Sequence, residues 1–315
     1  MVRKYFRTPI ASIISILSIT ACDQTVEAPT KTPLICPSEC ADALCATLPN
    51  CPTECVEILP TDYHPAEKLH GILWIQTSGE YLMAATQSYT LARVMLDRGL
   101  EDPIWTAALE QSGGYSNLPS AIIVDVDETV LDNTPFHARL ELAGLNWDTD
   151  QFYEWVLESR AQAVPGSVKF LQYAQSKGVA IFYVTNRSHD YEQATRENLI
   201  NNGFPMDDEM DTLLTNGEEE NWGSDKVNRR IFLADGYRIL LLIGDTLNDF
   251  LPDTNVSPED RNEVLADYQD YWNEKWIIIP NPIYGGWDGA LYNFDYSLSK
   301  EQILDLKLNH LDNFE

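Results

Sequence analysis

The chain has 315 residues, 44% of them hydrophobic and 22% charged, with 21 Lys and Arg against 49 Asp and Glu and a formal charge of −28. That apolar share excludes an intrinsically disordered chain and predicts a buried core. The acid excess excludes a binder of nucleic-acid polymer, which needs a basic stripe to displace phosphate counterions. An anionic ligand must therefore find local positive charge at its site, a metal included.

Residues 1–21 carry Arg3, Lys4 and Arg7, no acid, and an apolar run from Pro9 to Ile19, the pattern of a secretory signal. The run is too short for a comfortable membrane span. Ile19-Thr20-Ala21-Cys22 resembles the lipobox of bacterial lipoproteins, which implies cleavage before Cys22 and acylation of it. The predicted location is extracytoplasmic, tethered to a bacterial membrane by the N-terminal lipid; Asp23 leaves inner and outer membrane open. The chain from Cys22 would carry −31.

Residues 22–62 read as a cysteine-rich stalk. Cys36, Cys40, Cys45, Cys51 and Cys55 lie here, in a small duplication of Cys-Pro-Ser-Glu-Cys and Cys-Pro-Thr-Glu-Cys, and none follows in the remaining 260 residues. In an exported chain such cysteines stiffen a short segment by disulfides, and an odd number leaves one over. A thiolate metal site is the alternative, although C-x₃-C is looser than zinc-ribbon spacing.

The expected catalytic domain is 63–315. Its apolar spacing predicts one long helix over 66–98, and Asp102-Pro103 predicts the start of a further short helix. From residue 121 the rhythm changes. Apolar runs of strand length at 121–124, 179–184, 239–243 and 276–279 alternate with amphipathic stretches at 166–177, 191–202, 226–235 and 258–275. This is the pattern of an α/β fold, a doubly wound, mostly parallel sheet covered on both faces. Gly178 and Gly203 stand where two of the helices should end. The five histidines show no ligand spacing and read as surface or capping residues, and Glu218-Glu219-Glu220 reads as a solvated loop.

The stretch that carries chemistry is Ala-Ile-Ile-Val-Asp125-Val-Asp127-Glu-Thr129, an apolar strand ending in two aspartates. In an open α/β sheet, ligands bind beyond the carboxyl ends of the strands, so both carboxylates reach the crevice. Two later strand ends repeat the pattern, Thr185-Asn186-Arg187 after 182–184 and Gly244-Asp245-Thr246-Leu247-Asn248-Asp249 after 240–243. Between them, Ser224-Asp225-Lys226 opens a helix. In this order, with spacings of 60, 41 and 19 residues from Asp125 to Thr185, Lys226 and Asp245, the set resembles the four motifs of the haloacid dehalogenase superfamily of phosphohydrolases.

A narrower resemblance spans roughly 65–295. Leu73 to Tyr81, Asp132-Asn133, Arg160 to Gly166, Tyr183 to Arg187 and Pro280 to Trp287 are similar to the class C, or lipoprotein e type, bacterial acid phosphatases. The stalk and the strong acidity depart from that family. The resemblance implies a Rossmann-like core with a small helical subdomain, built from the N-terminal helices and the insert after the first motif. It implies Asp125 as nucleophile and Asp127 as the acid that protonates the leaving alkoxide and then activates water. Thr185 and Lys226 would hold the phosphate, and Thr129, Asn186, Arg187 and Tyr284 would contact substrate. Mg²⁺ would sit on Asp125, the Asp127 carbonyl, Asp245 and Asp249. Aromatic stacking on a base or ring would fall to Tyr284 and to Trp147, Phe152 or Trp155.

The activity so implied is a Mg²⁺-dependent acid phosphomonoesterase acting on small phosphate esters, 5′-nucleotides among them, through an aspartyl-phosphate. A general acid must hold its proton, so the expected optimum is acidic to near neutral. A phosphotransferase or mutase on the same core, and a surface lipoprotein that keeps the fold without catalysis, stay open on sequence grounds.

Overall fold

The computed structural model describes residues 66–207 and 209–312. The signal segment, Cys22 and the five stalk cysteines lie outside them. Among the described residues no helix is long and apolar enough to cross a membrane.

The segment expected to be one helix is two, α1 (Leu69–Thr77) and α2 (Gly79–Glu101). Ser78 makes the break. It is extended, at φ −90° and ψ 139°, and its Oγ accepts from Tyr81 N at 3.0 Å while donating to Trp74 O at 2.6 Å. One hydroxyl thus closes the first helix and caps the second, which a reading by hydrophobic spacing alone passes over. The buried stripe of α2, through Tyr81, Ala85, Tyr89, Ala92 and Met95, has the expected three-to-four-residue step.

The helix expected after Asp102 does not form. Asp102 Oδ1 accepts from Ile104 N at 3.0 Å in a local turn. Beyond it Trp105 Nε1 donates to Leu240 O at 2.8 Å, and Ala107 N to Ile239 O at 2.8 Å. The segment satisfies its polar groups on the sheet, where a helix could not reach.

The central sheet has five parallel strands in the order β5-β4-β1-β6-β7. These are β1 (Ser120–Val124), β4 (Ala180–Ser188), β5 (Leu213–Asn216), β6 (Arg238–Gly244) and β7 (Trp276–Ile278). A two-residue antiparallel pair, β2 (Leu131–Asp132) with β3 (Gln162–Ala163), stands apart from it. Neither this pair nor edge strand β5, with only two apolar residues, has a sequence signal strong enough to be read.

Helices clothe both faces, as the α/β reading requires. Ile122 and Val124 point to one cluster with Tyr89, Phe170 and Leu199; Ala121 and Ile123 point to the other with Leu233, Phe250 and Trp276. The crossovers are α5 (Ser167–Ser176), α6 (Glu192–Asn201), α7 (Val227–Gly236) and α8 (Pro258–Asp267), and the insert after β1 holds α3 (Thr134–Ala143) and α4 (Thr149–Leu157). Gly178 and Gly203 end α5 and α6 in left-handed conformation, at φ 74° and 83°. In each case the next residue bonds back five positions, Val179 N to Ala174 O and Phe204 N to Leu199 O. Helix α8 stops eight residues before its expected end. There Tyr268, Tyr271 and Trp272 turn to pack their rings around Trp276, 4.7 to 5.3 Å between centroids.

Candidate active site

Strand β1 leads one way to β4 and strand β6 the other way to β7, so the sheet order reverses beside β1 and opens a crevice at the strand ends. Asp125 still belongs to the ladder, its N donating to Ile243 O at 2.9 Å. The chain then curls. Val130 N and Leu131 N both reach Val126 O at 2.9 Å, and Glu128 takes a left-handed φ of 56° that few non-glycine residues adopt. The curl brings Thr129 back over the first aspartate, its Oγ1 donating to Asp125 Oδ2 at 3.1 Å, while Tyr89 OH braces Thr129 O at 2.5 Å.

The neighbouring β6 ends at Gly244, and a 3₁₀ turn, Leu247–Asp249, folds Asp249 beneath the strand end. Asp249 Oδ2 accepts from Asp245 N and Thr246 N, both at 3.1 Å. Gly244 is obligatory here because a Cβ on it would lie 2.2 Å from Asp249 Oδ2. Gly244→Ala is expected to displace that carboxylate and, if the trio holds a divalent cation, to weaken its binding about 10–100-fold, the usual effect of losing a support behind a ligand. Isothermal titration with MgCl₂ checks it, and unchanged affinity contradicts it.

Lys226, at the mouth of α7, is buried and donates to Asp125 Oδ1 and, at 2.6 Å, to Asp249 Oδ1. Asp125, Asp245 and Asp249 each offer a carboxylate oxygen, all within 4.8 Å of one another. Burial pushes the Asp125 carboxyl up to about 7, with Lys226 pulling against it and Asp249 and Asp127 adding to it. Burial, then Asp249 and Asp125, hold Asp245 well above the ordinary carboxylate range. Burial disfavours the Lys226 ammonium, but Asp125 and Asp249 outweigh it and keep it charged. Three crowded carboxylates against one lysine leave a deficit of positive charge, and an all-oxygen donor set suits a hard divalent cation.

The Asp127 carboxylate stands outside that trio. It turns to Arg187, whose Nη2 donates to Asp127 Oδ1 at 2.8 Å, and to Asn133 Nδ2 at 2.8 Å. Thr185, fully buried at the crevice end of β4, accepts from Arg187 N at 3.1 Å.

Of the residues expected to touch substrate, Thr129, Asn186 and Arg187 all have hydrogen-bond partners within the protein. Thr129 is closed from solvent and holds Asp125. Arg187 is buried, with its guanidinium on Asp127. Asn186 bridges elements, donating to Ser224 O at 3.0 Å and accepting from Arg229 Nη2 at 2.7 Å. Arg229, absent from the sequence reading, also reaches the carbonyls of Thr185 and Gly223, so it clips the end of β4 to the Lys226 loop.

Tyr284 lies partly buried beside the site, its hydroxyl donating to buried Glu128 and its ring 5.0 Å from that of His137. Among the aromatic candidates Trp147 is half exposed and Phe152 partly so, but Trp155 is a core residue whose Nε1 donates to Asn133 Oδ1 at 2.8 Å.

The histidine reading needs correction at His137, while His70, His189 and His310 are exposed as expected. His137 is buried, and burial first, then Lys68, lowers its imidazole to about 3. His189 lies within ligand distance of Glu192 and Glu218, yet Glu192 pairs with Arg196 at 3.0 Å and Glu218 accepts from Thr215 N at 2.9 Å. Missed entirely was Asn281, whose Nδ2 donates to Asp245 Oδ2 at 2.7 Å. The Pro-Asn-Pro stretch that resembles the family was its only signal.

A doubly wound sheet with its acids and its lysine gathered at this crevice is that of a haloacid dehalogenase superfamily chain. Comparison with known proteins narrows the class. The model of "HAD superfamily, subfamily IIIB (Acid phosphatase)" matches residues 44–287, and the chain belongs to that family. The class C acid phosphatase of Bacillus anthracis is 33% identical, with 79% of this chain and 98% of that one aligned at a TM-score of 0.68. A second structure of the same enzyme, with tungstate bound, aligns at 0.70. Acid phosphatase 1 of Solanum lycopersicum is 30% identical over 133 residues, 41% of this chain and 51% of that one. The match thus spans about half the length of the curated plant relative.

Proposed function

We propose that the chain is a cation-dependent acid phosphomonoesterase that hydrolyses small phosphate esters, 5′-nucleotides among them, through an aspartyl-phosphate at Asp125. The observation that carries this reading is the trio of Asp125, Asp245 and Asp249 with Lys226 wedged between two of its members. The tungstate in the bacillary relative supports it, since tungstate has the charge and tetrahedral shape of phosphate.

Asp125, its rotamer held by Thr129, attacks phosphorus in line with the ester oxygen. The phosphorus–oxygen bond to the alcohol breaks, and the departing alkoxide takes a proton from Asp127. In the second half Asp127 takes a proton from water as that water attacks the aspartyl-phosphate, which returns Asp125 and frees phosphate. Lys226 and the Thr185 hydroxyl hold the equatorial oxygens, and the buried ammonium counters charge that accumulates there. Asp125, Asp245, Asp249 and the Asp127 carbonyl would hold Mg²⁺, which would neutralise the trio and polarise the phosphoryl group. Tyr284, Trp147 and Phe152 support a ring-bearing substrate, as base stacking is worth roughly 1–3 kcal/mol and tolerates many rings. Release of p-nitrophenol from its phosphate ester, abolished by EDTA and restored by MgCl₂, tests the reading; turnover that survives EDTA overturns it.

The acid cluster also makes a pH prediction. Asp125 is raised from 3.8 to about 7, so the folded state holds a proton that the unfolded state releases across that window. Cation-free stability from this group is present below the lower value and is lost as pH rises through the upper one. A cation needs the deprotonated form, so it should stabilise more at pH 7.5 than at pH 5. At one hundred times its Kd it adds about 2.7 kcal/mol, or roughly 5–10 °C in Tm, at the higher pH and clearly less at the lower. Thermal melts with MgCl₂ or EDTA measure this, and an equal gain at both pH values contradicts it.

The leader and Cys22 support attachment to a bacterial membrane by lipid. Cys22→Ser should move the protein from the membrane to the soluble fraction on centrifugation, and retention in the membrane refutes the anchor.

A further inference from the structure

Arg187 presents three faces of its guanidinium to three partners. Nε donates to Asp127 Oδ1 at 3.0 Å and Nη2 to the same oxygen at 2.8 Å. Nη1 donates to Thr195 Oγ1 on α6 at 3.2 Å, and Nη2 also reaches Asn133 Oδ1 at 3.3 Å. The side chain is 1% exposed, against 20% for Asp127, so this ion pair is shielded on the arginine side and open on the carboxylate side.

Asn133 completes the arrangement. Its Oδ1 receives Trp155 Nε1 at 2.8 Å as well as Arg187, which fixes the amide so that Nδ2 faces Asp127 Oδ1 at 2.8 Å. Asp127 Oδ1 therefore accepts three donors. Among the described residues Oδ2 has only a longer contact to Arg187 Nε, at 3.3 Å. The two oxygens of one carboxylate are unequal, and the difference is built by groups from β4, α6 and the insert.

We infer that Arg187 is a positioning residue for Asp127: with Asn133 it holds the carboxylate by Oδ1, so that Oδ2 carries the proton to the leaving group and later takes one from water. The inference rests on the proposed reading of Asp127 as acid and base. It replaces the sequence expectation that Arg187 contacts substrate, since a buried guanidinium with every partner inside the protein has no free edge to offer. A lysine cannot substitute, because a single ammonium has no fork to engage Asp127, Thr195 and Asn133 together.

The test uses two esters that differ in their need for a proton. p-Nitrophenolate is a stable anion and leaves unaided, whereas the alkoxide of glycerol 2-phosphate must be protonated as it departs. With the full chain and MgCl₂, Arg187→Lys is expected to lower kcat/KM for glycerol 2-phosphate about 10–100-fold more than for p-nitrophenyl phosphate, a part of the roughly 10²–10⁴-fold that general acid catalysis supplies. Asp127→Asn, measured alongside, should show the same bias more strongly. Trp155→Phe removes the outer donor to Asn133 together with part of a buried ring, and should show the bias more weakly, about threefold, which decides the matter if the Arg187 variant does not fold. A general structural loss would slow both esters equally. Equal losses from Arg187→Lys, or from Trp155→Phe in its place, overturn the inference while Asp127→Asn keeps its bias. If Asp127→Asn itself shows no bias, the reading of Asp127 as acid falls, and the inference falls with it.

Discussion

Asp125→Asn is expected to lower kcat about 10⁴-fold or more while leaving the cation-free protein at least as stable as its parent. The two halves of that result have one origin. Asp125 is held in the β1 ladder and braced by Thr129, and in the proposed mechanism it is this carboxylate that attacks phosphorus, with no substitute for it among the described residues. Yet its ionised form is unwelcome where it lies, since burial carries the carboxyl to about 7 despite the lysine against it. An asparagine keeps the shape and an acceptor for Lys226 but removes one negative charge from the crowd. Phosphate release and a melt in EDTA decide it together. Retained turnover refutes the nucleophile, and a marked fall in Tm refutes the account of the charge.

Lys226→Met should fail in both respects. It leaves the Asp125 and Asp249 carboxylates buried and facing one another, without the ammonium that now bonds to each. Removing one partner of a buried ion pair costs about 3–5 kcal/mol, on the order of 10 °C in Tm for a domain of this size. Protonation of Asp125 offers an escape from the repulsion, but in the proposed mechanism a protonated Asp125 does not attack. Loss of the fixed charge on the phosphoryl oxygens adds to this, and kcat is expected to fall about 10³-fold. MgCl₂ should recover part of the stability and little of the rate. A variant with parental Tm and parental kcat would show that the lysine balances nothing.

The difference between these two residues and the rest of the site explains what could be read from the chain alone. Asp125, Asp245 and Lys226 stand directly at the ends or beginnings of long apolar or amphipathic runs, so a one-dimensional pattern places them at the crevice. The four well-marked strands and their crossovers were visible for the same reason. Ser78 was not, because its effect depends on one hydroxyl serving two helices. Edge strand β5 has too few apolar residues to mark it, and the pair β2–β3 is two residues long. Arg187, Asn186 and Thr129 were recognised as belonging to the site, but their directions follow from the partners the fold gives them, which spacing does not encode. Asn281 and Arg229 act on residues 36 and 44 positions away, and nothing local to either announces that.

The order of the strands has a consequence for how this enzyme comes into being. Strand β1 lies at the centre, paired on one side with β4 and on the other with β6, whose last residue is 120 positions beyond Val124. A growing polypeptide that has emerged as far as β5 possesses Asp125 but has bare edge where Asp245 and Asp249 belong. Pairings so distant in sequence are slow to close. The acidic trio is therefore assembled only when the β6 segment docks against the middle of the sheet.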